Sequence, residues 1–287
     1  MAVTMKAGSI YATNVNTLND LRKSHLQEVM VSICIDGISY AVMLASPYEL
    51  EDFARGFAIG ESLIQHDAEL RDIHIQEHAD GITLDLHLSA RASNTAKQRR
   101  RALLGTSGCG LCGADAIAQA HTQRPPRLPA TRIPRIEQIM QARERLAPLQ
   151  VRNREAGGGM HAAALFTIGN ATNTTNTTAQ IVREDIGRHN ALDKLIGAMA
   201  RSPSNSIANA DGDSRTLSRQ DSFVMLTSRC SYELVVKCAR ANIGCLITFA
   251  MPTNLAIECA RECNVTLACF QGPQLFFYHK AMDDTSA

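Results

Sequence analysis

Apolar positions along the chain follow two different periods, and the change between them marks its organisation. Over residues 29–44, two β-rich runs, VMVSICI and ISYAVML, flank Asp36-Gly37. Both turn residues tolerate positive φ, so this pattern predicts a hairpin. Ser46-Pro47-Tyr48-Glu49 then reads as a helix start. Ser46 would cap, Pro47 would take the first helical position, and Glu49 would complete a capping box, with the helix ending near Ile64. A second hairpin is expected where Ile73 and Ile75 face Ile82, Leu84, Leu86 and Leu88 across Asp80-Gly81. Residues 97–104 form a basic helical stretch, 105–113 (GTSGCGLCG) a loop, and 114–120 a further helix. Four prolines within 124–135 mark an internal boundary. Ile136, Ile139, Met140 and Leu146 outline a short amphipathic helix.

From His161 onward, apolar runs at 162–168, 179–183, 222–227, 245–250, 265–270 and 275–278 alternate with helical stretches at 188–200, 231–242 and 253–263. Strands alternating with helices argue for a layered α/β domain with a parallel or mixed sheet. The expected organisation is a flexible tail (1–20), an α+β part (21–123), a Pro/Arg-rich linker (124–135) and an α/β domain (136–287). Two low-complexity segments, 170–178 and 202–222, read as surface loops.

Composition narrows the class. With 45% hydrophobic residues, the 287-residue chain can bury a core. No run of about 20 apolar residues spans a bilayer, and the first twenty residues lack the apolar run of a secretory signal. A soluble cytoplasmic protein is therefore expected, and the N-x-[ST] sequons at Asn170, Asn173, Asn176 and Asn264 carry no meaning there. The net charge of +1 conceals an asymmetry: residues 97–154 hold twelve Lys/Arg against three Asp/Glu, a net +9. Such a segment suits an anionic partner, or equally a solvated basic helix and linker.

Nine cysteines, an odd number, fit a reduced compartment better than a disulfide framework. Seven lie in apolar or helical contexts and read as packing. Only Cys109 and Cys112 share a glycine-rich loop ahead of a helix, where a thiol is accessible and its thiolate favoured. Spacing alone leaves three chemistries open. A zinc site lacks its second ligand pair, a redox disulfide lacks the preceding thioredoxin-like strand, and a persulfide carrier needs one exposed nucleophile with a neighbour to assist.

The second dense feature is 183–194 (REDIGRHNALDK), which ends a β run and opens a helix. Helix N-terminal amides beside Arg188 and His189 suit a phosphate, whereas the plainer account makes Glu184 and Asp185 simple caps. Polar turns at 227–233 (TSRCSYE) and Pro252-Thr253 repeat the strand-to-helix geometry. Ser228 and Ser231 could cap the following helix. Such strand ends gather along one edge of an α/β sheet, where ligands usually bind, and His161 after three glycines could join them.

Together GCGLCG (108–113), GGMHAAAL (158–165), EDIGRHNALDKLIG (184–197), SYELVVKCAR (231–240) and 252–270 resemble the FdhD family of formate dehydrogenase accessory sulfurtransferases. The resemblance implies a cytidine-deaminase-like layered α/β/α C-terminal domain with a mixed sheet. It implies a persulfide on Cys109, assisted by Cys112, loaded by a cysteine desulfurase. The sulfur would pass to a bis-guanine-dinucleotide molybdopterin cofactor, of molybdenum or tungsten, held as cargo for the formate dehydrogenase catalytic subunit. No permanent metal, nucleic acid or membrane partner is expected, and a homodimer is. The cofactor-binding residues expected are His161, Glu184, Asp185, Arg188, His189, Lys194, Ser228, Arg229, Phe270, Gln271, Gly272, Pro273, Gln274 and Leu275. In this picture Arg188, His189 and Lys194 hold phosphate or pterin, and Glu184 and Asp185 orient them. The polyanionic cargo would also account for the +9 segment.

Three departures stand out: 270–275 (FQGPQL) has no cation where the family carries arginine, Ser228 replaces a usual glycine, and the low-complexity insertions at 170–178 and 202–222 are foreign to the family pattern. A zinc deaminase would need H-x-E and P-C-x-x-C, which this chain lacks. The rivals are a non-catalytic cofactor-binding chaperone with a metal at the cysteine pair and, more remotely, a thiol-disulfide oxidoreductase.

Overall fold

The computed structural model describes residues 26–104, 124–169, 177–201, 206–208, 214–216 and 219–282. Cys109 and Cys112, the helix expected at 114–120, the tail at 1–20 and most of both low-complexity segments lie outside them.

Both hairpins form. β1 (Val29–Ile35) and β2 (Ile38–Ala45) pair antiparallel around Asp36 (φ 49) and Gly37 (φ 77), the two positive φ values a tight primed turn requires. β3 (Leu70–His78) and β4 (Gly81–Leu88) pair with Ile73 opposite Leu86 and Ile75 opposite Leu84. β4 runs parallel to β1, giving a mixed four-stranded sheet of order β2-β1-β4-β3. Alternation places Val31, Ile33, Ile82, Leu84 and Leu86 on its buried face, under Phe53 and Phe57 of α1 (Leu50–Gly60). The basic stretch belongs to α2, which is longer than expected (Ala90–Leu104).

The start of α1 differs from expectation. Glu49, with φ 48, occupies the cap position without a side-chain cap bond, and the helix begins at Leu50. Ser46 is fully buried and bonds Asp185 instead, so a tertiary partner outcompetes the local cap. The helix stops at Gly60, before Ser62 takes φ 55, while Leu63 and Ile64 fold back to bond the Ala58 carbonyl.

After an irregular stretch over 124–135, α3 (Ile136–Leu149) and the short α4 (Val151–Glu155) lead into a six-stranded mixed sheet. Its strands are β5 (His161–Thr167), β6 (Ala179–Asp185), β9 (Ser222–Leu226), β10 (Cys245–Thr248), β11 (Thr266–Gln271) and β12 (Gln274–His279), ordered β12-β11-β10-β9-β5-β6. The 202–222 segment is not all loop, because β7 (Ser206–Ala208) and β8 (Ser214–Thr216) pair as a small ribbon. α5 (Arg188–Arg201), α6 (Tyr232–Arg240) and α7 (Asn254–Glu262) complete the alternation.

Burial divides the large sheet into two apolar faces. Ala163, Leu165, Val224, Leu226, Leu246 and Leu267 join the core cluster that includes residues of α5, α6 and α7. Ala162, Ala164, Phe166, Phe223, Met225, Ile247 and Ala268 pack with Ile139, Ala142 and Leu146 of α3. This is the layered α/β/α arrangement. The first cluster also takes in the four-stranded sheet through α1, which crosses α5 at two glycines. A Cβ on Gly56 would lie 1.7 Å from the Asp193 carbonyl oxygen, and one on Gly197 would lie 1.8 Å from that of Asp52. Only glycine permits this backbone-to-backbone contact.

Candidate functional site at the strand ends

Topology brings one end of every strand in the large sheet to a common edge. The parallel strands β9, β10 and β11 finish there, antiparallel β5 and β12 begin there, and β6 finishes there. His161, the segment from Asp185 into α5, residues 227–229, residues 249–252 and the Gln271–Gln274 turn therefore share this edge. Neighbouring turns are tied together. Thr227 donates from N to the Ala162 carbonyl (3.0 Å) and accepts the Ala162 N–H on Oγ1 (2.8 Å), while Phe249 donates to the Leu226 carbonyl (3.0 Å).

Gly157, Gly158 and Gly159 all have positive φ (77, 108 and 98), a run only glycine adopts without strain, and they deliver Met160 and His161 to the edge. The turn is anchored from below. Glu184 Oε2 accepts the Asn153 N–H (2.6 Å), and Asn153 Oδ1 accepts that of Met160 (2.9 Å). Burial is the main reason the Glu184 carboxyl lies above its usual range, against the backbone donors that lower it.

Asp185 lies opposite His161 in the ladder and is completely buried. Its Oδ2 accepts from Ser46 N (3.0 Å), Ser46 Oγ (2.8 Å) and Lys194 Nζ (2.7 Å), and its Oδ1 from Gly187 N (2.8 Å) and Asn190 Nδ2 (3.0 Å). Lys194 is equally buried, and its other partners are Ser46 O (3.1 Å) and Ser46 Oγ (2.8 Å). Burial drives the Lys194 pKa down, with Asp185 opposing. The expected phosphate contact at Lys194 is thus replaced by an interior ion pair whose polar groups are all satisfied. Asp185 orients the Gly187 turn, Asn190 and Lys194 rather than Arg188.

Arg188 and His189 are half-buried at the start of α5. Arg188 Nε is buried yet has no hydrogen-bond partner among the described residues, at the first turn of a 14-residue helix whose N-terminal amides favour anions. Burial, then the neighbouring Arg188 charge, hold the half-buried His161 imidazole below its ordinary pKa, while Asp185 pulls the other way. His189 Nε2 lies 2.9 Å from Glu233 Oε2 and 3.2 Å from Ser231 Oγ. Burial lowers its pKa in spite of Glu233. Ser231 does occupy the α6 cap position, but makes no side-chain cap bond. Ser228 is buried with its hydroxyl on the Arg229 carbonyl (3.0 Å), and Arg229 is exposed.

Beside His189, a cavity of about 580 Å³ opens between β2, α1, α5 and α6. Met43, Phe57, Tyr232 and Val236 line it, with Glu61, Asp193, Glu233, Lys237 and Arg240 as its charged groups. Lys237 is committed to Asp193 (2.9 Å) and Glu61 (3.0 Å).

At the other end of the edge, Phe270 is buried. Gln271 Nε2 bonds the Tyr278 hydroxyl (2.9 Å), Gly272 turns with φ 61, and Pro273, Gln274 and Leu275 complete the hairpin. A cation from another element lies against this hairpin. The Arg143 guanidinium of α3 lies 4.3 Å from the Phe270 ring centroid and donates to the Gly272 carbonyl (2.9 Å). The sequence signal was present, since Arg143 falls inside the +9 segment. Other arginines of that segment serve as clamps on main-chain carbonyls: Arg99 on Glu61, Arg127 on Arg261 and Glu262, Arg132 on Gly169, and Arg145 on Thr177.

These features define a layered α/β protein with a nitrogen-lined strand-end edge built on a buried ionic hub. Residues 26–282 match the FdhD/NarQ family, and the chain belongs to it. Proteins named "Sulfur carrier protein FdhD" are similar over most of the chain. That of Bordetella petrii is 36% identical over 244 residues, covering 85% of this chain and 80% of its own. That of Acinetobacter baylyi is 37% identical over 245 residues, covering 85% and 82%. That of Variovorax paradoxus is 37% identical, covering 88% and 83%. A crystal structure described as a formate dehydrogenase accessory protein from Desulfotalea psychrophila shares the fold, with a TM-score of 0.59 at 21% identity, covering 88% of this chain and 86% of that one. Among the described residues no helix is long and apolar enough to cross a membrane, and no three His, Cys, Asp or Glu side chains form a metal site.

Proposed function

We propose that this chain carries sulfur for the maturation of formate dehydrogenase. The Cys109 thiolate attacks the outer sulfur of a cysteine desulfurase persulfide. The S–S bond breaks, the desulfurase thiolate leaves, and Cys109 holds the persulfide with Cys112 assisting. The acceptor is a bis-guanine-dinucleotide molybdopterin cofactor of molybdenum or tungsten, bound as cargo and then handed to the formate dehydrogenase catalytic subunit. The working form is a cytoplasmic homodimer. The observation that carries this reading is the family match over residues 26–282, a span that includes both cysteines, together with similar proteins named as sulfur carriers.

The strand-end edge fits an anionic cargo. Arg188 offers a buried Nε, without a partner among the described residues, at a helix N-terminus beside a half-buried His161. Arg229 and the Gly272 turn extend the same edge toward Arg143.

The test is to incubate the protein with a cysteine desulfurase and cysteine, then map modified peptides by mass spectrometry. One added sulfur atom is expected on Cys109, and Cys109→Ala loses both the loading and the support of formate dehydrogenase. The assignment fails if Cys109→Ala still loads sulfur and still supports the enzyme. Stoichiometric zinc without persulfide would replace it with a metal-holding chaperone.

A further inference from the structure

Seven cysteines, all free, lie among the described residues, and their surroundings separate them chemically. Burial pushes the Cys230 and Cys245 thiols up to about 12 and that of Cys238 well above its ordinary value. Those three stay protonated and inert. Cys259 and Cys263 differ. They stand one turn apart at the end of α7, with Sγ atoms 3.7 Å apart and hydrogen-bonded. One helical turn places such Cα atoms about 6 Å apart, within the span a disulfide bridges. The hydrogen bond from Cys259 is the main reason the Cys263 thiol lies below its ordinary pKa. Arg127 and Arg240 add to this lowering, against burial and Glu262.

The same helix end holds the first described chain after Cys109 and Cys112. Cys263 is the C-terminal cap of α7, and its carbonyl accepts the Leu128 N–H at 2.9 Å. Asn264, with φ 57, returns Nδ2 to the Leu128 carbonyl at 3.0 Å. The pair is buried next to the exposed Tyr232, in the last turn, where helices fray first.

We propose that Cys259 and Cys263 form a reversible dithiol–disulfide site, oxidised by hydrogen peroxide and restored by a dithiol reductant. The Cys263 thiolate attacks the peroxide O–O bond, which breaks to give a sulfenic acid and hydroxide, and the hydroxide takes the thiol proton as water. Cys259 sulfur then attacks the sulfenic sulfur, its proton leaving with the hydroxyl as a second water. Two thiols and one peroxide thus become one disulfide and two waters. Closing the sulfurs from 3.7 Å to about 2.0 Å draws in the last turn of α7 and loosens its hold on Leu128.

Trypsin cuts after Arg261, between the two cysteines, so the bond is directly readable. After hydrogen peroxide and alkylation of the full chain, a cross-link is expected between the peptides 241–261 and 262–280, joining Cys259 to Cys263 and lost with dithiothreitol. Amide exchange at Leu128 should rise in the oxidised protein. Cys259→Ser should instead leave a Cys263 sulfenic acid that dimedone traps. Should that variant fail to fold, phenylarsine oxide on the unmodified protein serves, since a bridging arsenical protects both cysteines from alkylation. Peptide mapping scores Cys109 and Cys112 separately. The proposal is overturned if Cys259 and Cys263 remain fully alkylatable after both reagents, or if the cross-link joins Cys245 or Cys269.

Discussion

Within the segment 184–197, the side chains that enter the interior and those left at the N-terminus of α5 meet opposite surroundings. Inside, Asp185, Asn190, Asp193 and Lys194 are all buried, and each has charged or polar partners within 3.1 Å. Outside, Arg188 Nε has no partner among the described residues, and His189, like His161 of the neighbouring β5, is only half-buried. Ionisable residues packed this densely read as one site in sequence. The contrast teaches that most of them are a foundation, and that reactivity is left to the few whose valences the fold does not fill.

Breaking the inner side should have the largest effect. Lys194→Met leaves the Asp185 carboxylate buried without its cation, which costs about 3–5 kcal/mol. Urea unfolding measures it. Adding Asp185→Asn, which removes the stranded charge, should recover part of the loss. A Lys194→Met protein of unchanged stability would show that the hub is not structural and that Lys194 is available for the cargo after all.

What the sequence revealed depended on range. The Asp36-Gly37 hairpin and the strand–helix alternation after His161 were legible, because turn chemistry and apolar period act locally. The start of α1 was not, because Ser46 is claimed by Asp185, 139 residues away. Leu63 and Ile64 continue the apolar pattern although the helix has ended, so periodicity alone overran Gly60. At the site, the edge itself was legible from polar turns following apolar strands. Its division was not: Lys194 and Arg188 look alike in a list of cations, and only packing shows which one is spent. Arg143 was missed for a related reason, since it reaches the Gly272 turn from a helix 129 residues earlier.

On the outer side, Arg188→Gln should sharpen the comparison. No partner among the described residues holds its Nε, so the unfolding free energy should stay within about 0.5 kcal/mol. Affinity for guanosine diphosphate, a soluble fragment of the proposed cargo, should fall about tenfold, equivalent to ~1.4 kcal/mol. Calorimetric titration measures it. An unchanged affinity would move the anion away from this helix N-terminus.

The smallest effect is one of pH, and its sign follows from burial. His161 and His189 both have folded pKa values below the ordinary histidine value of 6.5, with burial as the leading cause in each case. As pH drops through 6.5, the unfolded chain takes up protons that the folded chain refuses, so stability declines until the folded pKa values are passed. Above 6.5 neither histidine contributes, and Glu184, whose pKa is raised, acts with the opposite sign only in the more acidic carboxylate range. Asp193, whose carboxyl is pushed up to about 6 by burial, acts with the opposite sign inside the same window. The histidine contribution is therefore read by comparing urea midpoints at about pH 7.5 and 5.5 between this protein and a variant without the two imidazoles. Replacing both histidines with glutamine should raise the midpoint at pH 5.5 relative to that at pH 7.5, while His279, lowered by burial beside Arg261 and Arg127, keeps its own share of the same sign. An equal gap in the variant would mean that these two imidazoles are as well solvated as any on the surface, and the outer side would lose its claim to be a partly dehydrated site.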